Sequence, residues 1–186
     1  GTLVGDLSLK RYFTYTGKLT TIDRHESTEE TPNSTLTTDL ALNEWTQARL
    51  QDKGDSYYLQ DESCRVVELY LAEDGVGLTD TWPTGNGRVL KVEFFVEWAT
   101  DVTQGIPAGT YKVVARDEES NGIPREFLKP GGIASGYPNV FTYPQGTWYE
   151  KISNGTMKEY ARIDGGTMTV ARDGAKHTLT IDFIDC

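Results

Sequence analysis

Hydrophobic positions in this chain recur at every second residue. The clearest stretch is 88–99: Leu90, Val92, Phe94, Val96 and Trp98 fall on one face, Lys91, Glu93, Phe95 and Glu97 on the other. A strand sends alternate side chains to opposite faces, so this pattern predicts a strand with one face in a core and one in water. Val67, Leu69 and Leu71 alternate in the same way, as do Tyr111, Val113 and Ala115. Near the start, Leu7, Leu9, Phe13 and Tyr15 share a parity that Arg11 breaks. One-sided strands belong to antiparallel sheets, because parallel sheets are covered on both faces.

Asp173-Gly174 predicts a two-residue hairpin, since Asp-Gly supplies the positive φ such turns need. With that loop, Arg172 faces Ala175, Val170 faces His177 and Met168 faces Leu179. Opposed residues share a face, so Met168, Val170, Leu179, Ile181 and Phe183 form one apolar surface. Further turn signals stand at Asp74-Gly75, 83–87, 107–109, Asn121-Gly122, 130–132, Asn154-Gly155 and 164–166. Short strands between frequent turns predict an all-β fold, an antiparallel sandwich or a partly closed barrel. The polar stretch 25–38 and the Gly- and Pro-rich stretch 117–145 read as loops. One short helix is expected over residues 39–52, capped by Thr38 or Asp39 and stopped by Gly54, with Leu42, Trp45, Arg49 and Leu50 near helical spacing. We read 1–186 as a single β domain: 1–53 carries a strand, the polar loop and the helix, and 54–186 is the main β module.

Charge narrows the class of partner. The 186 residues hold 28 acidic and 18 basic side chains, a formal charge of −10. That excess opposes phosphate, so nucleic acid is not the expected partner, and neither is an anionic membrane surface. No apolar run approaches the roughly 18 residues a spanning helix needs. Gly1 stands where an initiator Met would, with no signal-peptide pattern after it. The expectation is a trimmed chain whose export signal or lipid anchor lies outside it. Two cysteines are too few for a disulfide scaffold; Cys64 reads as a buried thiol and Cys186 as a frayed one.

The sequence holds no G-x-S-x-G, P-loop or H-E-x-x-H, and we assign no catalytic residue, metal ligand or cofactor. His25 lies in the polar loop, and His177 reads as a partly covered histidine near the hairpin turn. Glu93 and Glu97 are about 13 Å apart along a strand, at roughly 3.3 Å per residue. Paired glycosidase carboxylates stand only about 5–9.5 Å apart. These two therefore read as solvating charge, with Lys91 among them. Asp117-Glu118-Glu119 lacks the ligand pattern of a calcium loop and reads as a solvated turn.

The aromatic side chains are more suggestive. Trp82, Tyr143, Trp148 and Tyr149 fall in or beside turn-rich stretches, as do Tyr137 and Phe141, and Phe95 sits among the glutamates. Open aromatic faces grip sugar rings or partner proteins. The candidate ligand-binding set is Trp82, Phe95, Tyr143, Trp148 and Tyr149, with Glu93 and Glu97 at its rim. The competing reading is that these rings plug the ends of the fold.

Residues 54–186 carry a familiar order of phrases: Ile106-Pro107-Ala108-Gly109-Thr110-Tyr111, Gly146-Thr147-Trp148-Tyr149, then Gly165-Gly166-Thr167-Met168-Thr169-Val170 and His177-Thr178-Leu179-Thr180-Ile181-Asp182-Phe183. This resembles modules of uncharacterised surface lipoproteins of gut Bacteroidetes. The resemblance implies an extracytoplasmic, lipid-anchored protein at the outer-membrane surface and supplies no catalytic residue; such modules commonly carry Tyr where His177 stands. The expected function is therefore a non-catalytic binding or adhesion module for glycan or a surface protein. The alternatives are a β-barrel enclosing a small apolar ligand and a carboxylate-dependent hydrolase.

Overall fold

A computed structural model describes residues 12–20, 33–42, 45–57, 59, 62–78, 82–117, 122–137 and 144–186. The chain is all-β, as the alternation predicts. In order the strands are β1 (Tyr12–Thr20), β2 (Leu40–Ala41), β3 (Gln47–Gly54), β4 (Arg65–Ala72), β5 (Val76–Gly77) and β6 (Thr84–Gly85), then β7 (Gly87–Val96), β8 (Gly109–Val114), β9 (Gly132–Ala134), β10 (Trp148–Ser153), β11 (Thr156–Asp173) and β12 (Lys176–Asp185). Among the described residues the only helical turns are two three-residue 3-10 turns, at Val102–Gln104 and Arg125–Phe127.

Five strands close a ring. β7 pairs β10, β10 pairs β11, β11 pairs β8, β8 pairs β9, and β9 returns to β7. β4 and then β3 extend the sheet outward from β7, while β12, β1 and β2 extend it from β11. β5 and β6 form a separate two-stranded sheet. Most pairings are antiparallel; β8 with β9 and β1 with β12 are parallel.

The long β11 makes closure possible. Its first half pairs β10 and its second half pairs β8, with a register shift between Ile163 and Gly165. Gly166 sits there at φ 103°, where a Cβ would run into the Asp182 backbone. A β-bulge bends a strand and raises its twist, which is what one strand needs to serve two partners. The sequence signal at 164–166 is thus a bulge inside a continuous strand, not a turn.

The main core fills the ring and the face of the outer strands continuous with it. Leu90, Val92, Phe94 and Val96 of β7 meet Val67, Leu69 and Leu71 of β4, Tyr111 and Val113 of β8, and Met168 and Val170 of β11. Leu179, Ile181 and Phe183 of β12 join them, as the hairpin pattern predicts. The hairpin register differs by two residues from the expected one: Asp173 faces Lys176 and Val170 faces Leu179. A slip of two preserves every face, because side chains alternate with period two. Gly174 takes φ 57° at the turn and Ala175 does not, the pattern of a turn with Gly first.

Three expectations need correction. The described residues of 39–52 are not helical; they hold β2 and most of β3, and Leu40, Leu42, Ala48 and Leu50 pack on the main core at alternate positions. β7 has no wet face, because Lys91, Glu93 and Phe95 are as buried as their neighbours. Trp98 lies beyond β7 and is half-buried, its ring facing the Arg65 guanidinium at 5.3 Å. The Leu7 and Leu9 positions lie outside the described residues.

Candidate functional site

The outward face of β7 is covered by a second layer, and register decides what lies there. On one line across the sheet Arg49, Tyr70, Lys91, Trp148 and Arg162 stand directly opposite one another on β3, β4, β7, β10 and β11. The next line runs Gln51, Glu68, Glu93. On the far side of the first line Glu150 faces Val89. The chemistry-bearing side chains of five strands thus meet on one covered surface. Apolar clusters flank it: Val66, Phe95, Leu59 and Leu128 at one end, Val89, Val76 and Ile152 at the other.

Lys91 is the hub, with 7% of its surface exposed. Its ammonium lies 2.9 Å from Glu68 Oε1 and 3.6 Å from Glu93 Oε2, and donates to the Pro144 carbonyl at 3.0 Å. Burial alone would lower its pKa, but the Glu93 and Glu68 charges outweigh that and hold it above the usual lysine value. Glu93 also accepts from the Tyr57 hydroxyl at 2.6 Å and the Gly146 amide at 3.3 Å. Glu68 takes Tyr70 at 3.3 Å and faces Lys53 at 3.8 Å. Tyr57 is pushed well above the ordinary tyrosine value by burial and by the adjacent Glu93 charge. Burial pushes Tyr70 up to about 12.

Glu150 is different. It is 3% exposed. Burial pushes it up to about 8, with Lys91 pulling the other way, so at neutral pH it is mostly an uncharged acid.

The sequence-predicted residues do not form one open surface. Phe95 and Trp148 are sealed on the covered face; Phe95 packs edge-on against Tyr57 at 5.5 Å, and Trp148 Nε1 donates to the Gln145 carbonyl at 2.9 Å. Tyr149 points the opposite way, into the main core, with its hydroxyl on Glu159 at 2.7 Å. Glu93 is buried instead of solvating, and Glu97 alone of the two is exposed. Trp82 is half-buried. Tyr143 lies outside the described residues. The three sealed rings serve the competing reading, in which the aromatics close the fold.

Sequence reasoning missed Tyr57, Glu68, Tyr70 and Glu150. A signal existed for Glu68: it interrupts a run, Val66 to Leu71, that is apolar on both parities. A strand buried on both faces has no water to give a carboxylate, so Glu68 needed a buried partner.

His177 is wholly buried, not partly covered. Neither cysteine is in a disulfide. Cys186 is anchored, not frayed: its amide donates to the Arg162 carbonyl at 3.2 Å, and Arg162 Nε donates to its sulfur at 2.9 Å. Among the described residues no group of three or more His, Cys, Asp or Glu side chains is placed to hold a metal ion, and no helix is long and apolar enough to cross a membrane. Comparison of the chain with protein-family models, with curated proteins and with solved structures finds no match.

Proposed function

We propose that this protein is a non-catalytic binding module of a bacterial surface lipoprotein, and that it holds a partner protein instead of a glycan. The observation that carries the reading is how fully Glu68 and Glu93 are engaged, by Lys91, Tyr57, Tyr70 and the Gly146 amide. Carboxylates held that way fasten the covering segment to the sheet and are not free to take up or deliver a substrate proton. A sugar ring needs an open aromatic face, and Phe95, Trp148 and Tyr149 offer none. With a formal charge of −10, the module suits a partner with a basic face. The surface location rests on the resemblance of residues 54–186. A five-strand ring is narrower than the eight-strand barrels that side chains just fill, which speaks against an enclosed apolar ligand.

The test pairs the immobilised protein with a panel of purified bacterial surface proteins and with a glycan array. Salt-sensitive capture of a basic protein, with a blank array, is expected. A glycan hit without protein capture overturns the choice of partner.

One observation favours a second reading, a carboxylate hydrolase. Three glutamates from neighbouring strands share one surface, and burial holds one of them near 8, in the range of a general acid. It requires turnover of a glycoside or ester substrate that Glu93→Gln and Glu150→Gln each abolish while the fold is kept.

A further inference from the structure

His177 is a buried titratable group that the binding reading leaves unused. It stands on β12 in register with Arg172, just inside the 173–176 turn. Its Nε2 atom accepts the Ile106 amide at 3.2 Å, and its Nδ1 atom lies 3.2 Å from the Ala175 carbonyl. Those two contacts fix the tautomer. An amide can only donate, so Nε2 must offer a lone pair and the ring proton must sit on Nδ1, facing a carbonyl.

What the ring holds is the loop between β7 and β8. Its 3-10 turn is capped by Asp101, and it seats Val102 and Ile106 in the main core. Gly105 passes directly over the imidazole at φ 99°, and a Cβ there would collide with Nε2. Ring and loop are therefore fitted to each other. A proton on Nε2 would set two N–H donors head to head in a wholly buried site, and the Ile106 amide would lose its acceptor.

We propose that His177 is an acid-sensitive latch that holds the 101–106 loop on the core and releases it when Nε2 takes up a proton. Among the described residues, the charged groups on the elements around the ring do not oppose this. Arg172, opposite on β11, turns its guanidinium to the Gly174 carbonyl. Asp101 accepts from the Thr103 amide at 3.0 Å and the Thr103 hydroxyl at 2.5 Å. Lys176, next to His177 on β12, is exposed. On β1 the register partner of His177 is Phe13, and Lys18 lies five positions further along.

The test is amide hydrogen exchange on the whole chain, corrected for the intrinsic pH effect, together with a nitrogen NMR titration of the imidazoles. A neutral ring protonated on Nδ1 is expected. Exchange at Ile106 should be about tenfold faster near pH 5 than near pH 7.5, through local opening. The acid response should vanish in His177→Gln, whose side-chain oxygen still accepts but takes up no proton, and persist in His25→Gln. A neutral ring protonated on Nε2, or an Ile106 amide whose exchange ignores pH, overturns the latch. Should His177→Gln fail to fold, the wild-type tautomer and exchange profile decide the matter.

Discussion

Glu68 and Glu93 stand directly opposite each other on β4 and β7, and the Lys91 ammonium bridges them at 2.9 and 3.6 Å. Opposed residues of paired strands have Cβ atoms only about 5 Å apart, so two bare carboxylates there would repel. Removing the lysine exposes that repulsion and leaves both charges buried. Lys91→Met should cost about 3–5 kcal/mol in urea unfolding. Glu68→Gln and Glu93→Gln added to Lys91→Met should recover most of the loss, because the buried charge then disappears.

Glu150 gives the opposite sign. Its carboxyl is raised to about 8, against an ordinary value near 4.3, so the folded state holds a proton that the unfolded state releases. Its contribution to stability is full below the ordinary value and declines as pH rises toward 8, by about 1.4 kcal/mol per pH unit at most. Glu150→Gln keeps the shape and removes the titration. At pH 7 the variant should be more stable than the parent by roughly 3–4 kcal/mol, and below pH 4 by almost nothing. Denaturant midpoints at the two pH values check this, and a destabilised variant at pH 7 would refute it.

The aromatic residues separate by what they touch. Phe95→Ala and Trp148→Ala empty sealed sites and should each cost about 3–5 kcal/mol. Trp82→Ala, at a half-buried position, should cost about 1 kcal/mol or less. Thermal unfolding distinguishes them, and only the Trp82 variant is then suited to a binding assay.

Gly146 links backbone freedom to the charge cluster. It takes φ 76°, its amide donates to Glu93, and a Cβ would meet the Ser135 carbonyl. Gly146→Ala should cost about 2 kcal/mol or more, through strain and the displaced hydrogen bond. A matched Gly155→Ala, at φ 70° with nothing near its would-be Cβ, should cost less. Equal losses in denaturant unfolding would assign the whole effect to φ.

Period two made the strands of the main core readable, because the oily face of β7 and the Met168–Phe183 hairpin are local facts. The covering layer was not readable, because charge at Lys91 and Glu93 normally means water. Only a partner strand 25 residues away, bringing Glu68, reverses that inference. The helix expected near Trp45 fails for a related reason: Leu42, Trp45 and Arg49 fit a helical stripe, but Leu40, Leu42, Ala48 and Leu50 also share a parity, and the free edge of β4 decides between the two patterns. Of the candidate site, the sequence showed the residue types and not their burial, which depends on register between distant strands.

The parallel pairing of β1 with β12 governs how this molecule comes into being. Tyr12 lies beside Lys176, so the first strand described takes its neighbour from the last. On a ribosome β1 emerges long before that neighbour exists, and apart from its short pairing with β2 it must wait while the rest of the sheet is made. Contacts so distant along the chain predict slow assembly, with the edge beside β12 zipping shut only at the finish.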